Sequence, residues 1–395
     1  MEVKKIIIFT SEPFPYGLAA TNRIISYGKG FIKNGKSIEV ICFRRTENRE
    51  TILNHNRKGS YENIKFKYIP SSTVRSNSFL IRRINNFFST INLFFYGLKI
   101  MDRSTLSIYY SSNEIKLIPI WIAHKFKGGL LFKEESEHPE VYLRNKNIFE
   151  KFIFNNFHYN LFDGYLLMTK NLISYFKKRT NTPYLHAPMT VELDRFNIEL
   201  NKTKKDKDYI VYTGFLDDKK DGIDILIKAF AGVVKRHKTF ELFIYGPAHS
   251  EVELQKYYRL VEKIGISNQV HFKGSVTREV ITNKIMEAKI LVLPRPESLQ
   301  AQHGFPTKLG EYLATGNPTL VTRVGEIPDY LTDGKNSYIA IPGDILSLEN
   351  KMLEIIENYP KASKVGLEGR KIAEEHFNNI VVTRNIITFA ENSFN

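Results

Sequence analysis

His303-Gly-Phe-Pro-Thr-Lys-Leu-Gly-Glu-Tyr-Leu-Ala-Thr-Gly-Asn-Pro318 joins a loop to a helix, and the helix runs on into an apolar strand at Thr319–Thr322. Pro306 suits the first helical position, where a missing N–H removes no bond. The amides of Thr307, Lys308 and Leu309 then point outward at the positive end of the helix dipole, an arrangement that accepts an anion. Glu311 follows one turn later, within reach of a hydroxyl on whatever carries that anion. Gly316 ends the helix and Pro318 prevents its continuation. The same punctuation fits an ordinary helix–strand unit. Local pattern therefore leaves two readings open, a phosphate-holding turn and a plain αβ connection.

Working outward, 395 residues exceed what one typical core organises, so two domains are expected. No apolar run matches the thickness of a bilayer, which points to a globular chain that is soluble or peripheral. The N-terminus enters a strand at once, without the layout of a signal peptide. The single cysteine, Cys42, lies in an apolar run and reads as a small buried hydrophobe in a reducing, cytoplasmic setting. The net charge of +15 is one-sided: residues 1–200 hold 30 Lys/Arg against 17 Asp/Glu, and residues 201–395 hold 27 against 25. Within 51–100 the ratio is 8 to 1. Such a field predicts an anionic partner for the first half, phospholipid or nucleic acid, although lysine-rich compositional drift is the alternative.

Short, nearly all-apolar strands alternate with amphipathic helices, as in parallel sheets covered on both faces. Strands are expected near Lys5–Thr10, Ile38–Phe43, Ile64–Tyr68, Leu106–Tyr110, Leu130–Lys133 and Gly164–Met168, with helices such as Ala20–Lys33 and Glu140–Asn155 between them. The polar stretch Asn197–Lys207 breaks the rhythm as a linker. The pattern restarts at Tyr209–Thr213, Glu241–Tyr245, Gln269–Phe272, Ile290–Leu293, Thr319–Thr322 and Ser337–Ile341. The fold expected is α/β, with two doubly wound parallel-sheet, Rossmann-like domains facing a cleft: 1–196, a linker at 197–207, and 208–375. A closing helix, 376–395, is expected to cross back to the first domain. Gly214, Gly246 and Gly274 follow the first three strands of the second half, at the edge where open α/β sheets hold ligands.

No GxGxxG, Walker loop, CxxC or metal-spaced histidine pattern occurs, so no cofactor and a metal-independent chemistry are expected. Tyr212-Thr-Gly-Phe-Leu…Lys220-Asp-Gly222, Ile244-Tyr-Gly-Pro247, Val270-His-Phe-Lys-Gly274, Leu293-Pro294, His303–Pro318 and Val324-Gly-Glu-Ile-Pro-Asp329…Asp333-Gly334 stand in the order and spacing of one family. The chain resembles the retaining, nucleotide-sugar-dependent glycosyltransferases of the GT-B fold, sequence family 4 (glycosyl transferases group 1). The resemblance is dense over 208–345. Across 1–200 it rests on Phe14-Pro-Tyr-Gly17…Asn22-Arg23, Glu137-His-Pro139 and Val191-Glu-Leu-Asp-Arg-Phe196.

The resemblance implies that the second domain binds a UDP- or GDP-sugar and the first an acceptor hydroxyl. Glu311 matches the second glutamate of the family's E-x7-E motif, which holds the nucleotide ribose; a helix-surface glutamate is the plain alternative. His303 stands where the first glutamate would, and cannot supply a fixed negative charge at neutral pH. Phe215 replaces a frequent diphosphate arginine. Lys220, Arg295 and Lys308 are the cations available for the leaving diphosphate, at least two of which should face it. Gly17, Gly214, Gly246, Gly274, Phe305, Thr307 and Leu309 complete the nucleotide-sugar candidates. His303, Glu137 and His138 are the catalytic ones, with a merely acidic loop (Glu134, Glu135, Glu137, Glu140) as the competing view.

Phe79–Met101 and Ile148–Phe162 are apolar and aromatic with basic residues nearby. They read either as a surface lying in an anionic bilayer or as core helices. Together these readings predict an inner-face membrane-peripheral enzyme that acts on a glycan or polyprenyl-linked acceptor in bacterial surface polysaccharide synthesis. A non-catalytic sugar-nucleotide-binding homologue is the alternative. A nucleic-acid-binding protein is the remaining one, although no nucleic-acid module accompanies the charge and no nucleic-acid partner is expected.

Overall fold

The computed structural model describes residues 2–144, 146–196, 208–298, 301–302 and 304–393. The expected linker, 197–207, and His303 lie outside the described residues. The chain divides into two compact units, Met1–Thr190 with Asn379–Asn395, and Val191–Asn378.

In the first unit the strands are β1 (Lys5–Thr10), β2 (Ser37–Cys42), β3 (Lys58–Tyr61), β4 (Ile64–Tyr68), β5 (Thr105–Tyr110), β6 (Leu130–Glu135), β7 (Gly164–Leu167) and β8 (Tyr184–His186). Their order is β3-β4-β2-β1-β5-β6-β7-β8, and every pairing is parallel except β3 with β4. Ile6–Thr10 are fully buried because both faces of β1 are covered, which is why its middle, Ile6–Phe9, is apolar without a break. β3 and β8 are additions to the expected set. β3 is a polar edge strand with no apolar period, joined to β4 by Glu62 and Asn63, both left-handed, as a two-residue hairpin turn requires.

Two helix expectations change. Glu140–Asn155 divides into Pro139–Leu143 and Ile148–Asn156, because Asn147 starts a new helix. Its Oδ1 accepts from the Glu150 amide at 2.8 Å and its Nδ2 donates back to Glu150 at 2.9 Å, a reciprocal cap. The segment at 79–101 is the helix Phe79–Ile100, and its only buried residues are Ser89, Leu93 and Gly97. It is not a core helix.

The closing helix, Asn379–Asn392, packs along Ala19–Lys33 in the first unit. Asn379 Nδ2 donates to Ser26 O at 2.9 Å, and Asn34 Nδ2 to Ile380 O at 2.9 Å. Gly30 makes this approach possible, since a Cβ there would lie 2.5 Å from Asn379 O and from Thr383 Oγ1. Overpacking at such a seam outweighs alanine's helix preference, so Gly30→Ala is expected to destabilise the unit by about 1–2 kcal/mol. Calorimetry should then show a melting temperature lower by roughly 2–8 °C.

The second unit holds β9 (Tyr209–Thr213), β10 (Glu241–Tyr245), β11 (Val270–Gly274), β12 (Ile290–Leu293), β13 (Thr319–Thr322) and β14 (Tyr338–Ala340). The order β11-β10-β9-β12-β13-β14 is parallel throughout and reverses direction between β9 and β12. The unit begins at Val191 rather than beyond 196. Val191 N donates to Phe377 O at 2.7 Å, and Arg370 Nη1 donates to Phe196 O at 2.8 Å, fastening this segment to the end of the unit.

Candidate functional site

The strand ends beside the reversal in the second unit are built from glycines. Gly214 follows β9 with φ 138°, and Gly246 follows β10 with φ 130°, backbone that side chains disfavour. Gly214 N donates to Tyr245 O at 2.8 Å, and Gly246 N to Gly274 O at 2.8 Å. A Cβ on Gly246 would overlap Gly214 O, and one on Gly214 would overlap Lys308 Nζ. Gly214 and Gly246 thus let two strand ends and a lysine crowd into one corner, whereas a Cβ on Gly274 would meet nothing.

The helix Thr307–Ala314 enters this corner. Tyr312 Oη accepts from Thr213 N at 2.7 Å and pairs with Thr213 Oγ1 at 3.0 Å, tying the helix to β9. One turn earlier, Lys308 Nζ donates to Tyr212 Oη at 2.9 Å and to Asp221 Oδ2 at 3.0 Å. Arg295, just past β12, places Nε 3.5 Å from Asp221 Oδ1 and donates to Lys220 O at 3.3 Å. Its Nη1 is buried without a hydrogen-bond partner among the described residues. A buried arginine and a half-buried lysine thus share one buried carboxylate, which leaves a net positive corner. Burial alone would raise the Asp221 pKa, but the Lys308 and Arg295 charges hold it below the ordinary carboxylate range. Burial lowers both Lys308 and Arg295, with Asp221 opposing.

Pro306 is the N-cap, not the first helical residue, and Leu309 N is satisfied by Pro306 O at 3.0 Å. The Leu309 amide is therefore turned inward and is not one of the expected outward trio. Lys220 sits in the short helix Asp218–Asp221, its amide bonded to Asp217 Oδ1 at 2.8 Å and its side chain half-buried. Phe215 stacks on His249 with ring centroids 5.0 Å apart. The Phe305 side chain packs against Tyr330 and Phe377, both at 5.5 Å, which leaves its backbone as the part able to meet a ligand.

Glu311 is half-buried on the helix Thr307–Ala314. Its Oε1 accepts from Arg195 Nη1 at 2.7 Å, and Arg195 is held in turn by Arg278 O at 3.3 Å and by Thr282 Oγ1. Sequence reasoning missed Arg195, Asp221 and Tyr212 as site residues. The signal available for Arg195 was its place in the Val191–Phe196 motif.

In the first unit, β6 extends through Glu134 and Glu135, which are buried strand residues rather than an acidic loop. Glu134 pairs with Arg23 at 2.7 Å and Glu135 with Lys133 at 2.8 Å. Beyond them Glu137 is exposed, and His138 caps Pro139–Leu143 and sits edge-on to Tyr175 at 4.5 Å. Glu12, two residues past β1, was not singled out from sequence. Burial raises its pKa, Arg44 opposes, and the Glu137 charge adds to the rise. Gly17 precedes the helix Ala19–Lys33, where a Cβ would press on Thr21 and lie 2.9 Å from Pro13 Cγ.

Comparison with known proteins then bears on the second unit. Residues 194–372 match the family model described as Glycosyl transferases group 1. Residues 194–372 are therefore similar to a glycosyl transferases group 1 domain. A mannosyltransferase of Mycolicibacterium hassiacum, "MMP alpha-(1->4)-mannosyltransferase", is 24% identical over 120 residues, which are 30% of this chain and 28% of that protein. The chain spans less than half the length of the curated relatives it matches. Among solved structures, Anabaena HepE in complex with UDP superposes with a TM-score of 0.72 at 14% identity, covering 98% of this chain and 100% of that one. A variant of S. aureus TarM, in complex with Fondaparinux, alpha-GlcNAc-glycerol and UDP, gives 0.73 at 12% identity over 99% and 100%. Likeness at these identities shows the fold. The two parallel-sheet units have the GT-B fold.

Proposed function

We propose that the protein is a retaining glycosyltransferase that moves a sugar from a UDP- or GDP-sugar to a hydroxyl of a lipid-linked glycan in bacterial surface polysaccharide synthesis. The observation that carries this reading is the positive corner at the ends of β9 and β12. There Lys308 and Arg295 outnumber Asp221, at the start of the helix Thr307–Ala314 and one turn from Glu311. An oligophosphate supplies the missing negative charge, and a nucleoside supplies vicinal hydroxyls for a carboxylate. The UDP held by HepE and TarM supports a nucleoside diphosphate as the donor's leaving group.

In this reading the anomeric carbon exchanges its bond to the β-phosphate oxygen for one to the acceptor oxygen. Lys308, Arg295 and Lys220 meet the charge that develops on the departing diphosphate. Glu137 and His138 orient the acceptor, and a histidine beside a carboxylate is suited to receive its proton.

The test is a panel of nucleotide sugars incubated with the full chain and a lipid-linked acceptor fraction, read as free nucleotide and as anomeric configuration by NMR. Release from one UDP- or GDP-sugar with an α-to-α product is the expected result. Nucleotide binding without any release would favour the non-catalytic homologue instead.

A further inference from the structure

Phe79–Ile100 is a 22-residue helix, about 33 Å long at 1.5 Å per residue, and it contains no acidic residue. Ser89, Leu93 and Gly97, four residues apart, form the narrow stripe by which it is attached. Ser89 Oγ donates to Phe43 O at 3.3 Å, and a Cβ on Gly97 would lie 3.0 Å from Ala123. Lys116, on the neighbouring helix Glu114–Lys127, clamps it further by donating to Asn86 O at 2.9 Å and Thr90 Oγ1 at 2.6 Å.

The opposite stripe is Ile84, Phe87, Phe88, Ile91 and Phe95, at the spacing of one helix face. Phe87 is 63% exposed and Phe95 62%, and Phe79, Leu80 and Ile81 extend the face to the N-terminus. The exposed aromatic surface of this helix alone is on the order of 500 Å², at the upper end of what a monomer leaves in water. Glu114–Lys127, which packs against Phe79–Ile100, and Ile148–Asn156, which packs against Glu114–Lys127, expose apolar side chains as well. Phe126 is 75% exposed on Glu114–Lys127, and Ile148, Phe149 and Phe152 are exposed on Ile148–Asn156. Among the described residues no helix is long and apolar enough to cross a membrane.

The charges around this face choose its partner. Arg82, Arg83, Lys99, Lys125 and Lys127 are all exposed on the same helices. A second copy of the chain would set these cations against their own kind. A sheet of phosphates over acyl chains complements both the cations and the apolar stripe.

We propose that the helix Phe79–Ile100, with Phe126 and the Ile148–Asn156 face beside it, lies in the plane of an anionic bilayer. The phenylalanines enter the acyl boundary, and Arg82, Arg83 and Lys99 pair with lipid phosphates. Docking does not depend on the sugar-transfer reading. Only its consequence, that a lipid-linked acceptor is met without leaving the membrane, rests on that reading.

The test is flotation of the full chain with phosphatidylcholine vesicles, with and without phosphatidylglycerol. Wild-type protein should float with the anionic vesicles, less so at high salt. Phe87→Glu/Phe88→Glu should reduce the bound fraction at least about tenfold. Arg82→Glu/Arg83→Glu should weaken binding by roughly fivefold or more per charge. Both variants should keep the wild-type thermal shift with nucleotide, which separates lost docking from lost folding and from failure of the glycosyltransferase reading. No flotation with anionic vesicles, or variants that float as wild type, overturns the proposal. So does a wild-type dimer in solution that the phenylalanine substitutions dissociate, because the face would then belong to a second copy.

Discussion

Lys308→Met is expected to lower turnover by about 10²–10³-fold, the loss that follows removal of one preorganised donor to a developing anion. The substitution also removes a partner from Asp221, a carboxylate only 3% exposed. Breaking a buried pair costs about 3–5 kcal/mol, and the lower end applies because Tyr212 and Arg295 remain beside the carboxylate. The two effects are compared in Lys308→Met/Asp221→Asn, which keeps the wild-type net charge of the corner and leaves Arg295 as its cation. Turnover should stay low in that double variant. Recovery of turnover would mean that the lysine serves only to neutralise Asp221. The same pair sets an acid limit. Because the Asp221 pKa is depressed in the folded protein, its contribution to stability is present above the ordinary carboxylate pKa of about 3.9. It is lost as pH falls through the lower folded value. Asp221→Asn should flatten that part of an acid melting profile.

Glu311→Ala is expected to weaken nucleoside diphosphate binding by about 10–100-fold, since charge-assisted hydrogen bonds contribute about 1.5–3 kcal/mol. Wild-type protein at a hundred times the Kd gains about 2.7 kcal/mol of stability, enough to read as a thermal shift, and the variant should lose most of it. A 2′,3′-dideoxy nucleotide supplies the control. It should bind wild type as poorly as the ribonucleotide binds Glu311→Ala, with no further loss when both changes are combined. Arg195→Gln should produce a smaller loss of the same kind, because Arg195 holds one carboxylate oxygen and leaves the other for the ribose. An unchanged shift in Glu311→Ala would remove the nucleoside from this site.

What was legible in the sequence followed from local rules. β1, β5, β9, β12 and β13 are apolar runs bounded by turns, and a strand covered on both faces needs such a run wherever it stands. Thr307–Ala314 was legible from Pro306 and Gly316, though one residue out of step, because a proline with φ −73° and ψ 110° serves as a cap as readily as a first turn. β3 was not legible. An edge strand exposes both faces, so its residues carry no apolar period. The divided helix at 139–156 was legible in principle from Asn147 and Glu150.

By itself the sequence determined two doubly wound sheets, the place of the helix that begins at Thr307, and the glycines at the strand ends. Each of these depends on dihedral preference or on a period of two or 3.6 residues, which are properties of neighbours in the chain. Only the tertiary structure decided which charges meet. Lys308 and Asp221 are 87 residues apart, and Arg195 and Glu311 are 116 apart. No local pattern encodes a Coulombic partner at that distance. It also decided the fate of Phe79–Ile100. An amphipathic stripe has the same period whether protein, lipid or water lies against it, and only the packing of the rest of the unit shows that protein leaves it uncovered.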